Sequence, residues 1–117
     1  MLSSEKNFNN IKIHTQYSIC EGAIKIEDLA DYCKKNKIRS LGLSDSFNLC
    51  GALEFSEALS KVGTQPIIGS QINFRYNETI GKLPVFAKTE KGYNNLVKLS
   101  SKSFLESKEK LVPTCSL

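Results

Sequence analysis

The stretch from Leu41 to Phe55 does most to limit what this chain can fold into. A short apolar run, Leu41 to Leu43, reads as a buried parallel strand. A polar loop over Ser44 to Asn48 comes next, then Gly51, after which Ala52, Phe55, Leu59 and Val62 recur at helical spacing. Strand, polar loop and helix make one βα unit. In α/β folds the loop at the carboxyl end of such a strand collects functional groups, which puts Asp45 and Asn48 where chemistry would be done. The more ordinary use of Asp45 and Ser46 is to cap the next helix.

On either side the chain continues in the same alternation. Ile11-Lys12-Ile13-His14 suits a short strand, and Thr15 to Gly22 a polar loop anchored by Tyr17 and Ile19. A helix is expected from about Glu27 to Asn36, with Ile26, Leu29, Ala30 and Cys33 on one face. Glu27 and Asp28 in its first turn and Lys34 and Lys35 in its last suit the helix dipole. Pro66 to Phe74 reads as a strand entered by its proline, where a missing N–H does least harm. After a turn or loop over Asn77 to Lys82, Leu83 to Ala87 is a further strand, close enough to pair antiparallel with the one before it. Thr89 can cap a long last helix whose buried stripe would be Tyr93, Leu96, Val97, Ser101 and Phe104. The charged run Lys108-Glu109-Lys110 leads to Pro113-Thr114, which resembles the start of another element.

A chain of 117 residues is one domain at most, and with 40% hydrophobic and 24% charged residues it has an ordinary globular composition. The net charge of +4 is modest and spread out, so the run Lys34 to Arg39 is read as dipole-complementing lysines rather than a nucleic-acid patch. No apolar run approaches the roughly 20 residues of a membrane span, and Met1 to Asn10 lacks a signal-peptide core. Cys20, Cys33, Cys50 and Cys115 show no CxxC spacing, which supports neither a zinc ribbon nor a redox motif. A cytoplasmic chain with reduced thiols and no membrane partner is expected.

Three segments, in order, resemble the motifs of the PHP (polymerase and histidinol phosphatase) domain family. Ile13 to Ser18 with Glu21-Gly22-Ala23 resembles its opening motif. Leu43-Ser44-Asp45-Ser46, with Asn48 and Gly51 to Phe55, resembles its second, usually Thr-Asp-His and Gly-x-x-Glu-Phe. Pro66-Ile67-Ile68-Gly69-Ser70-Gln71 resembles its third, usually Pro-Ile-Ile-Gly-x-Glu. A fourth segment, Gly92 to Ser100, is similar to the stretch next in order in the alpha subunits of bacterial DNA polymerase III. The resemblance implies the first part of a PHP-type (β/α) barrel, mostly parallel and incomplete in this chain. A polar arm over residues 1–9 would precede a partial PHP domain over 10–117.

Active members of the family hold metal ions with His, Asp and Glu at the carboxyl ends of the strands. Mapped onto this sequence, the early ligand positions are Lys12, His14, Asp45, Ser46 and Gln71, with Tyr17, Ser18, Asn48 and Glu54 as candidate pocket lining. A lysine cannot ligate metal while protonated, and neither Ser46 nor Gln71 supplies the family's His or acid. Zinc generally wants about three or four N, S or carboxylate ligands. The resemblance therefore implies a degenerate site with no metal and no catalysis in this chain. Its partners would be the rest of the alpha subunit, the proofreading exonuclease subunit and, through the parent protein, DNA. DNA-directed polymerisation and its Mg²⁺ would belong to that parent. The alternative functions are a metal-dependent phosphoesterase or proofreading nuclease, and a free-standing small α/β binding protein. Residue by residue, plainer roles stand beside these: a hydrogen-bonded core histidine for His14, bonds from Asp45 to loop amides near Asn48 and Gly51, and a dipole role for Glu54. If the site kept its shape, Lys12 would stand in for the lost cation beside Asp45.

Overall fold

A computed structural model describes residues 8–107 and 113–116. In chain order the elements are α1 (Ile26–Asn36), β1 (Ser40–Ser46), α2 (Ala52–Lys61), β2 (Gln65–Tyr76), β3 (Thr79–Phe86), α3 (Glu90–Glu106) and β4 (Thr114–Ser116). β2 is the centre of one open, mixed sheet. Its residues 65–71 pair in parallel with β1, and Asn73 to Arg75 pair in parallel with β4. β3 runs antiparallel along residues 69–76, so it occupies the other edge of β2. Of the three strand pairings, only this hairpin is antiparallel.

Two apolar clusters hold the helices to one face of this sheet. In the first, Ile26, Leu29, Ala30 and Cys33 of α1 and Phe55 and Leu59 of α2 close over Leu41 and Leu43 of β1, together with Ile13. Phe55 is wholly buried and its removal would cost about 3–5 kcal/mol. In the second, Leu96 of α3 packs on Ile72 and Cys115, with Phe74, Val85 and Leu99 beside them. Alternation along β1 and β2 places Leu41, Leu43, Ile68 and Ile72 on the helix face. Gly42, Ser44, Ser46, Gly69, Gln71 and Asn73 then line the opposite, polar face.

Several sequence expectations needed correction. Ile11 to His14 is not a strand: one bridge joins Ile13 to Leu43. Gly42 N donates to the Asn10 carbonyl and Ser44 N to that of Ile13, so a residue is bulged out between them. Gly42 permits this close approach, since a Cβ there would stand 2.5 Å from Ile11 Cα. Ser44 to Ser46 belong to β1 rather than to a polar loop, because their side chains find buried partners. Phe47, at φ 63°, turns the chain out of the strand. β3 begins at Thr79, four residues ahead of the expected start, across a turn in which Asn77 takes φ 54°. Thr89 caps α3 as expected, accepting from Gly92 N at 3.0 Å. The stripe on α3 differs: Leu96 and Ser103 are its buried residues, while Tyr93, Val97, Ser101 and Phe104 stay exposed. Thr114 does open a strand. The charged run Lys108–Lys110 and the first seven residues of the polar arm lie outside the described residues.

Candidate functional site

The carboxyl end of β1 meets the loop from Thr15 to Gly22, and the join is polar. Asp45 is fully buried. Its Oδ1 accepts from Thr15 N at 2.6 Å and from Ser18 Oγ at 2.7 Å, and its Oδ2 from Thr15 Oγ1 at 2.7 Å. A carboxylate taken out of water needs such charge-assisted donors. Asp45 thus binds the loop before α1, not the amides near Asn48 and Gly51, and it caps no helix. Gly51 is the N-cap of α2, with no side-chain cap bond.

Ser18 is the hub of the join. Besides donating to Asp45, its Oγ accepts from Ser46 N at 3.0 Å and lies 3.3 Å from His14 Nδ1. Ser46 Oγ donates to Glu21 Oε2 at 2.6 Å, and the same oxygen is 3.9 Å from His14 Nδ1. His14 is hydrogen-bonded, as its plainer role expected, but with its side chain 21% exposed it lies at the margin of the core rather than in it.

A second set of bonds fixes the outer side of the loop. Asn48 Nδ2 donates to the carbonyls of Tyr17 at 2.9 Å and Ser46 at 3.1 Å, and its Oδ1 accepts from Cys50 N. Tyr17 Oη donates to Glu54 Oε2 at 2.5 Å. That bond, with burial and the negative charge of Glu54, raises the Tyr17 phenol above its ordinary range. Glu54 therefore does more than complement the dipole of α2. The Tyr17 ring lies over Gly51, where a Cβ would come within 2.7 Å of it. Ser70, across from Asp45, donates to the carbonyls of Asp45 and Asn48.

The positions expected to hold a metal do not all converge. Ser46 pairs in register with Gln71 on the polar face. His14 follows Ile13, whose side chain enters the core, and it reaches the same polar face through its approach to Glu21. Asp45 stands on the helix face, two residues past Leu43. Lys12 is exposed, and among the described residues it forms no ion pair. The idea that Lys12 replaces a cation beside Asp45 is therefore wrong: three hydrogen-bond donors already serve that carboxylate. Gln71 makes no side-chain hydrogen bond among the described residues. Two residues on, Asn73 is 5% exposed and its Oδ1 has no partner among the described residues. The sequence reading missed both Glu21 as a partner of Ser46 and Asn73. Period-two alternation from Gln71 would have marked Asn73, whereas nothing in the sequence pairs Glu21 with Ser46.

The donors among the described residues do not make up a metal site. No group of three or more His, Cys, Asp and Glu side chains able to hold an ion occurs among the described residues. On the polar face, among the described residues, His14 and Glu21 are of ligating type, fewer than zinc generally takes.

Residues 10–116 match the family described as the PHP domain. The chain belongs to that family. Among curated proteins it is similar to DNA polymerase III subunit alpha of Helicobacter pylori strain 26695, 34% identical over 113 residues. The same protein of Rickettsia felis is 37% identical over 105 residues, and that of Aquifex aeolicus 33% over 117. These alignments take in 90%, 89% and 86% of this PHP chain and 9%, 9% and 10% of the relatives. The chain thus spans about a tenth of the length of the curated relatives it matches. A crystal structure from Bifidobacterium adolescentis, titled as a candidate metal-dependent phosphoesterase, shares the fold with a TM-score of 0.59 at 16% identity. That match covers 83% of this chain and 35% of the other. No helix among the described residues is long and apolar enough to cross a membrane.

Proposed function

We propose that this chain is the amino-terminal PHP-domain part of a DNA polymerase III alpha subunit, working as a docking and folding module without chemistry of its own. The observation that carries this is the Ser46–Gln71 pair. These neutral side chains stand side by side on the polar face at the two positions where metal-binding members of the family would carry a histidine and an acid. Metal-assisted phosphoester hydrolysis needs ions that activate water and clamp the phosphate. His14 and Glu21 alone are a poor set for that work. The phosphoesterase or nuclease reading has the shared fold behind it but lacks the donors among the described residues.

Under this reading, polymerisation and its Mg²⁺ belong to other parts of the subunit, as does contact with DNA. The direct partners are the rest of that subunit and the proofreading exonuclease subunit, in the cytoplasm. The four free cysteines suit a reducing compartment. Two measurements on the purified chain test the proposal. Incubation with Mg²⁺, Mn²⁺ or Zn²⁺ should give no hydrolysis of a chromogenic phosphodiester or of single-stranded DNA. Immobilised chain should retain the exonuclease subunit in surface plasmon resonance. Turnover that disappears in His14→Ala would overturn the first half, and absence of any exonuclease binding the second.

A further inference from the structure

The hydroxyl of Ser18 has one proton and three polar neighbours, and this arithmetic reaches His14. Asp45 Oδ1, at 2.7 Å, is a buried carboxylate that can only accept, so it takes the Ser18 proton. The Ser18 oxygen is then left with lone pairs alone. One of them accepts from Ser46 N at 3.0 Å. The other faces His14 Nδ1 at 3.3 Å, and a hydrogen bond there requires the proton to sit on Nδ1. Glu21 Oε2, 3.9 Å from the same nitrogen, is a further acceptor and adds to the same preference. No hydrogen bond holds Nε2 among the described residues.

We propose that Ser18 is a positioning residue that relays the Asp45 carboxylate to His14, fixing the imidazole in its Nδ1–H form with Nε2 left as a lone pair. An imidazole beside water is otherwise free to exchange between its two neutral forms, and the partner of one nitrogen decides the state of the other. The polar face thus presents a hydrogen-bond acceptor for an N–H or O–H group, whatever the fate of the family's metal. This goes beyond the docking reading and does not depend on it.

His14 is the only histidine in the sequence, so its ring nitrogens can be read without ambiguity. The experiment is a long-range ¹H–¹⁵N correlation spectrum of the ¹⁵N-labelled full chain at about pH 8.5, above the usual imidazole range. Wild type should show a protonated Nδ1 and an unprotonated Nε2. Ser18→Ala should lose that pattern and move to mainly Nε2–H. Glu21→Gln should keep it, because Ser18 remains in place. A wild-type ring protonated on Nε2 would overturn the proposal. So would a folded Ser18→Ala chain that keeps Nδ1–H, since Glu21 would then be setting the tautomer. Should Ser18→Ala fail to fold, Glu21→Gln still decides the point: retention of Nδ1–H supports the relay and its loss refutes it.

Discussion

At the scale of single residues, the buried carboxylate of Asp45 matters more than any other group at this site. It joins the end of β1 to the Thr15–Ser18 segment through three donors, two of them from Thr15. Hydrogen bonds to a charged acceptor are worth about 1.5–3 kcal/mol each, and donors left unsatisfied in a buried place add to the loss. Asp45→Ala is therefore expected to destabilise the chain by about 4 kcal/mol or more, read as a lower urea midpoint in circular dichroism. Lys12→Ala should change it by less than about 0.5 kcal/mol, as an exposed side chain without an ion pair. Equal effects of the two would contradict the arrangement described. The sequence led to Asp45 correctly but to the wrong partner. Residues thirty positions apart in sequence meet only because the loop folds back over the strand end.

At the scale of elements, β1 has two functions that its alternation keeps apart. Leu41 and Leu43 build the core, Asp45 anchors the loop on the same side, and Ser46 turns to the polar face beside Gln71. The edge of β1 depends on Gly42, over which the bulged Asn10–Ile13 segment passes. Gly42→Ala would force a methyl group against backbone atoms that cannot swing aside. Overpacking of this kind costs about 1–3 kcal/mol. The expected signs are a lowered melting temperature and faster amide exchange at Ser44, whose N–H donates to Ile13. Unchanged protection of Ser44 would show that the segment can move away freely. The helices were legible from their stripes and end charges, and α1 and α2 fell close to their expected limits. The first strand was not, because an alternating pattern cannot reveal a bulge.

At the scale of the whole molecule, the four cysteines divide by burial. Cys33 and Cys115 lie within the two apolar clusters, and Cys20 and Cys50 on exposed loops. Burial pushes the Cys33 thiol up, and burial followed by the charge of Glu106 pushes the Cys115 thiol up. Brief treatment with a maleimide at neutral pH should label Cys20 and Cys50 alone, as mass spectrometry of the peptides would report. Equal labelling of all four would mean that the clusters open readily. The sign of the pH effect comes from linkage. In the unfolded chain these thiols lose protons near pH 8.5, while in the folded chain they keep them to higher pH. Above about pH 8.5 the unfolded state binds fewer protons, so stability should fall as pH rises through that range.

The sequence by itself determined the βα order, the helix faces and the PHP motifs, because these rest on short-range periodicity and on residue types at fixed spacing. It also marked Lys12, Ser46 and Gln71 as departures from the residues usual at those positions of the family motifs, since that depends on residue type alone. Which of the site residues share a face was decided only by the tertiary structure. The parallel register of β1 on β2 brought Ser46 beside Gln71, and the folding back of the first loop gave Asp45 to Thr15 and Ser18 and Ser46 to Glu21. The exposure of Tyr93, Val97 and Phe104 on α3 was likewise decided by how that helix lies on the sheet. Register, loop closure and helix placement depend on contacts between residues far apart in the chain, and no local pattern carries them.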